Sequence, residues 1–391
     1  MTRFSGKRLQ FAALLVLTLL VSTGCVAARM GVSWPSVSLV GDNQYIMVAH
    51  AFQQGPTFLV QIDPADGSEV KLRDSEGKVR VDPETGEARS WEILEGAGQN
   101  IHTAPLLVEE NILLAAGYNN RFVEIDYATA RIDSPNGIEI SGQPVADFVV
   151  DEDAERIYVG YNSANLEAFD LDTLDLLWTF KTGSGVWAKP LLHENVLYVT
   201  SMDHFLYAVD TADGSLIWKL DVEGAAAASP LLVNDRLYVG TFARTILEVT
   251  LDGEQTAAYT AENWVWGAPV SDGDTIYAAD LSGFTYALSS PGLEEQWKVQ
   301  AAPEGIRPSP LLLEDALVVV SRNGKVAWLN PATGTEFQTR QVDNEILSEL
   351  LYVPSGKTQR EPLVVVTGVK ANPMMVAFTA SDGQRVWEYS R

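Results

Sequence analysis

The chain has 391 residues, 46% of them hydrophobic, a formal net charge of −25 and a single cysteine. That length and apolar share can fill a large core. The charge excludes DNA or RNA as a partner, because neutralising phosphates takes an excess of Lys and Arg, and one cysteine excludes an internal disulfide framework.

Residues 1–24 read as a targeting segment. Arg3, Lys7 and Arg8 form a positive start, residues 11–21 are apolar but too few to span a membrane, and Ser22-Thr23-Gly24-Cys25 supplies small residues before a Cys. The segment resembles a bacterial lipoprotein signal cut before Cys25, whose thiol then takes a diacylglycerol; Ser22 stands where Leu is usual. An ordinary secretory signal with a chance Cys is the alternative. Residues 25–33 form a short membrane-proximal tether, which fully extended reaches about 30 Å. Residues 34–391 contain no Pro/Ser linker and read as one domain.

From residue 105 onward the chain repeats itself. Prolines at 105, 144, 190, 230, 269 and 310 head successive units, with gaps of 39, 46, 40, 39 and 41. A fixed period in this range marks an array or a propeller. Within each unit the apolar runs are short, such as Leu197-Tyr198-Val199, and Asn, Asp, Gly and Glu separate them. That pattern belongs to strands. Pro cannot donate to a ladder and suits the first residue of a first strand. Four strands in about forty residues make one blade of a β-propeller.

Second strands near Tyr45, Leu113, Tyr158, Tyr198, Tyr238, Tyr277, Val318 and Val364 give eight blades. The expected fold is therefore all-β, an eight-bladed propeller of four-stranded antiparallel blades, with seven the fallback. Blade eight has Glu349-Leu350-Leu351 where Pro is expected, and blade one carries an insertion near residues 70–100 that includes Trp91. Ring closure calls for a strand from residues 26–36 or from 385–389, because an open end leaves an unpaired edge.

The stretch from Ala208 through Asp210, Asp213 and Gly214 to Trp218 resembles the tryptophan-docking repeat of quinoprotein-type propellers. Ala168, Asp170 and Trp178 repeat it with Leu174 in place of Gly, and Ala377, Asp382, Gly383 and Trp387 repeat it with Thr379 in place of the first Asp. Blades one, two, five and seven depart from the pattern, and Lys71 stands where blade one should have its Trp. The expected role of Trp178, Trp218, Trp297 and Trp387 is structural docking between blades. A lipoprotein signal ahead of eight such blades resembles the propeller lipoproteins of the outer-membrane β-barrel assembly machinery. That resemblance implies a scaffold that binds a periplasmic partner and performs no chemistry. Val26, after the acylated Cys, implies outer-membrane retention.

The competing enzyme class is a quinone-dependent dehydrogenase, for which the resemblance implies calcium, a catalytic Asp and adjacent cysteines; no adjacent Cys pair exists here. His50, His102, His193 and His204 show no metal-ligand spacing, and His193 and His204 fall in turns of one blade. No G-x-S-x-G or P-loop occurs. No catalytic residue, metal or cofactor is expected.

One column stands apart. Three positions before the heading Pro lie His102, Trp187, Ala227, Trp266 and Arg307, with Trp34 at the matching place in blade one. First strands of a propeller are innermost, so this column rings one mouth of the central channel. Trp34, His102, Trp187, Trp266 and Arg307 are the candidate contacts for a protein or peptide partner, since aromatic and Arg side chains dominate binding hot spots. Plain packing at the mouth is the alternative. The acidity suits solubility or a partner with a basic face. The chain is expected to be a monomeric, extracytoplasmic propeller anchored at Cys25 to the cell or outer membrane, with a small-ligand carrier as a third functional class.

Overall fold

The computed structural model describes residues 35–41, 45–51, 57–94, 103, 105–109, 111–117, 120–132, 137–356 and 361–391. Every regular element among them is a β-strand, and the strands form eight antiparallel sheets, each taken from one stretch of chain. Blade four shows the plan: Leu191–His193, Val196–Thr200, Phe205–Asp210 and Leu216–Asp221 pair in that order. First strands of neighbouring blades touch, as Val149–Asp151 does Leu191–His193 and Ser36–Val40 does Leu351–Val353. They are therefore innermost. The architecture is an eight-bladed propeller.

Burial explains why these runs are strands. Second and third strands are covered on both faces and read as continuous apolar stretches. Fourth strands alternate, with Trp218 and Leu220 turned inward and Ile217 and Lys219 outward. Each apolar cluster lies between two blades. Tyr198, Leu206 and Ala208 of blade four meet Leu237, Val239 and Leu247 of blade five. Ile46, Val48 and Phe58 of blade one meet Val365, Met375 and Trp387 of blade eight. The core is a ring of joints with no single centre.

An indole fastens most joints. Trp178 Nε1 donates to the Thr211 carbonyl of the next blade at 3.0 Å, Trp218 to Leu251 at 2.8 Å, Trp297 to Pro331 at 2.8 Å and Trp387 to Pro64 at 2.8 Å. Each of these Trp residues pairs across the sheet with an Ala. The small partner leaves the ring free to lean out to the neighbour. A glycine at positive φ receives it: a Cβ on Gly214 would lie 2.6 Å from Trp178, and one on Gly67 2.7 Å from Trp387. Gly214→Ala is expected to lower stability by about 1–3 kcal/mol through strain and overpacking, read as a lower urea midpoint at unchanged slope.

Where the indole is missing, the glycine is missing too. Blade two sends no Trp to blade three, and there Leu174 at φ 56 is buried against Phe122 and Phe169. Blade five has Ala257 in the Trp place, and Leu293 at φ 55 fills the same position in blade six. The side chain occupies the volume that an indole would have taken.

Several sequence expectations need correction. Trp91 belongs to the blade-one joint: its Nε1 donates to the Tyr127 carbonyl of blade two at 2.6 Å, so Lys71 does not hold the docking place. The inserted chain ahead of Trp91 folds back on itself through bridges Lys71↔Ser90, Arg73↔Val79 and Val81↔Ala88. Blade seven is also docked. Trp328, on its third strand, reaches the Ala380 carbonyl at 3.1 Å, and Gln338 sits opposite it in the usual Trp place. In blade three the first strand begins at Val149, so Phe148 and not Pro144 holds the heading position, which removes the irregular gap of 46.

Among the described residues, neither end of the chain lends a strand to the other's blade. Ser36–Val40 opens blade one and Arg385–Tyr389 ends blade eight. The ring closes by side chains instead. Trp387 docks on Pro64, Tyr389 OH donates to Glu69 at 2.9 Å, Arg391 pairs with Glu92 at 2.6 Å, and Ser348 Oγ donates to the Pro35 carbonyl at 2.7 Å.

Candidate partner-binding face

Loops from each fourth strand to the next first strand share one face with the turns between second and third strands. Trp187, Trp266 and Arg307 lie on the former loops and surround one funnel of about 350 Å³. Ala227 contributes to the same wall, with Val145 from blade three and Leu347 from blade eight. Cys25, Trp34 and His102 lie outside the described residues. Pro35 directly precedes the first strand of blade one, so residue 32 and not Trp34 has the matching place in the column. His193 and His204 fall at opposite ends of blade four, the first at the end of a first strand and the second in the turn after Thr200.

Local packing aims the loop side chains. Val265 is fully buried over Gly240, where a Cβ would come within 2.4 Å of it. With Val265 pinned, Trp266 turns into the funnel wall, and Trp264 on its other side stays exposed on the same loop. Val186 sits over Gly160 in the same way and turns out Trp187.

These aromatics form a ladder. Trp264 stacks on Phe242 with ring centroids 4.9 Å apart and planes 9° from parallel. Phe242 meets Trp266 at 4.9 Å and 34°. The Arg307 guanidinium carbon lies 4.4 Å from the Trp266 centroid on the rung beyond, a cation–π contact. Trp264 is 46% exposed, so the ladder ends in an open indole. The column named Trp266 and Arg307 but missed Trp264 and Phe242. The alternating Trp264-Val265-Trp266 was the available signal; Phe242 comes from another loop and gave none.

Below the ladder the funnel is charged yet balanced. Burial pushes the Arg307 guanidinium down to about 10, while Glu349 pulls the other way. Glu349 accepts from the Ser309 N–H at 2.7 Å and is the counter-charge to Arg307. Ser309 Oγ accepts from Ala268 N at 2.8 Å, and Ser229 Oγ donates to the Lys189 carbonyl at 2.7 Å. These contacts tie successive first strands into an inner hoop. Among the described residues no group of three or more His, Cys, Asp or Glu side chains is arranged to hold a metal.

A family model described as outer membrane protein assembly factor BamB matches residues 162–264 and 287–391. Curated relatives bearing that description from Kangiella koreensis and Shewanella oneidensis are 25% identical over 198 residues and 27% identical over 194. Those alignments cover 46% and 45% of this chain and 50% and 46% of the relatives. The chain thus spans about half the length of the curated relatives it matches. The crystal structure of BamB from Moraxella catarrhalis superposes with a TM-score of 0.62 at 14% identity, covering 88% of this chain and 95% of that one. A computationally designed protein, Ika8, gives 0.63 at 12% identity over 76% and 88%. At these identities both likenesses speak to the fold alone.

Proposed function

We infer the role of this chain from one premise: it belongs to the outer membrane protein assembly factor BamB family. The reading is a non-catalytic scaffold of envelope protein assembly. The chain works as a monomeric propeller spanning residues 34–391, held at the outer membrane by a lipid on Cys25 and the tether of residues 25–33. It binds a protein partner with the face that carries Trp187, Trp264, Trp266 and Arg307.

The ladder from open Trp264 to Arg307 is the observation that carries this reading. Its rings are already stacked, so a partner side chain that adds a further rung orders little that is not ordered beforehand. Rigid aromatics give large contact area at low entropic cost. The paired substitution Trp264→Ala and Trp266→Ala is expected to weaken capture of the assembly complex from the protein's own envelope by about tenfold or more, in line with hot-spot losses of 2 kcal/mol upward. Quantitative mass spectrometry of the captured complex reads it. Full capture with an intact fold would remove the mouth from the reading. For the anchor, mass spectrometry of the mature N-terminus is expected to find diacylglycerol on Cys25, and Cys25→Ser to release the chain from membranes. An unmodified Cys25 would leave an ordinary secreted scaffold.

A further inference from the structure

We propose that the outer edges of blades three and four form a second docking surface, one that takes a basic amphipathic segment of a protein partner. This deepens the reading of the chain as a binder and adds a site away from the mouth.

Leu176 and Leu177 on the fourth strand of blade three are 54% and 44% exposed, and Leu216 and Ile217 on that of blade four are 45% and 50% exposed. Scattered single apolar residues on a surface need no account, but contiguous ones do. These four flank one joint. Trp178, next to Leu177, packs its ring on Gly214, two residues before Leu216.

The blade does not require them. The same two places are Gln255 and Thr256 in blade five and Glu295 and Gln296 in blade six, on strands with the same exposed pattern. The repeat therefore tolerates polar residues here, and the apolar pairs serve something outside the chain.

Charge chooses the occupant. Glu152, Asp153, Glu155, Asp172, Asp175 and Asp213 are all exposed in the turns at this end of the two blades. Arg156, the basic residue among those turns, already donates to the Thr211 carbonyl. Lys181 and Lys219 are exposed farther along the same two strands, so the six carboxylates leave an acidic excess, and an apolar strip with that excess at one end fits a segment with Leu-like side chains on one side and Lys or Arg on the other. An anionic lipid surface does not fit. The register shifts opposite Leu177 and Ile217 mark bulges, which twist an edge away from strand pairing. The segment is held by side chains and does not extend the sheet.

Titration of the full chain with a short synthetic peptide alternating Leu and Lys tests the site, with a Leu/Glu peptide as control. The variant carrying Leu177→Gln and Ile217→Thr borrows the residues of blades six and five, so its urea midpoint should not move. It keeps the net charge, so general attraction of a cation to an acidic protein is unchanged. The wild type is expected to prefer the Lys peptide, and the variant to bind it about tenfold more weakly, as befits two aliphatic contacts. Equal binding of the Leu/Glu peptide, or unchanged affinity in the variant, would overturn the proposal. So would a dimer in sedimentation, or adhesion to anionic vesicles, that the same variant abolishes, for then the occupant is a second copy or lipid. Any of these failures leaves the mouth and the scaffold reading untouched, because the envelope capture experiment does not depend on this edge.

Discussion

Trp387→Ala is expected to destabilise the propeller by about 3–5 kcal/mol, the usual cost of deleting a large buried aromatic, and to cost more than Trp218→Ala. Both indoles dock in the same way, donating to a carbonyl of the next blade at 2.8 Å over a glycine. Their joints differ in what else holds them. Blades four and five are joined by the chain, which runs from Asp221 to Leu231. Blades eight and one lie at opposite ends of the chain and, among the described residues, share no strand. Losing Trp387 removes the largest contact at the one joint where the ring can open, and an opened ring exposes two sheet faces together. Urea unfolding of the two variants side by side reads the difference. Amide exchange along Thr57–Ile62 should speed up in Trp387→Ala and stay protected in Trp218→Ala. Equal losses would mean that closure rests elsewhere than on the indole.

Glu248→Ala is expected to cost a comparable amount, about 3–5 kcal/mol, because it strands a buried ion-pair partner and several donors. Blade five replaces the docking Trp by Ala257, and its cross-strand neighbour Glu248, only 2% exposed, takes over the joint. Its carboxylate accepts from Gly292 N of blade six at 2.7 Å, Thr256 Oγ1 at 2.6 Å, Tyr238 OH at 3.1 Å and Arg236 at 3.1 Å. Burial raises the Glu248 pKa, but Thr256, Gly292, Tyr238 and Arg236 together outweigh it and hold the carboxyl below its ordinary 4.5. A lowered folded pKa means that this stabilisation is fully present above about 4.5 and fades as pH falls through the folded value. Glu248→Gln should accordingly lose stability at neutral pH and show a flatter acid limb than the wild type in unfolding curves taken from pH 6 downward. Identical acid limbs would show that the carboxylate contributes no charge-dependent term.

The sequence made the blades legible for a physical reason. Second and third strands are buried on both faces, so their apolar runs recur undiluted, and the period survives even where a heading Pro has gone. Trp178, Trp218 and Trp387 stood out because each keeps an Ala across the sheet and a turn of recognisable spacing. The joints of blades five and seven were hidden because bulk and smallness trade places between the third and fourth strands. Trp328 faces Gln338, and Glu248 faces Ala257. A pattern tied to the fourth strand cannot see that exchange. Trp91 was hidden by the insertion that carries it away from its turn. At the mouth, Trp187, Trp266 and Arg307 fell on one sequence column because one loop type supplies them all. Phe242 comes from a different loop, and only packing brings it between two indoles.

A photo-reactive phenylalanine analogue at position 264, compared with one at the exposed Gln255 on the outer edge of blade five, tests most directly whether this propeller acts by holding a protein at its mouth. Irradiated in the native envelope, the chain labelled at 264 is predicted to yield a discrete protein adduct, and the chain labelled at 255 none. Adducts at 255 alone, or none at 264 from a folded and membrane-bound chain, would contradict it.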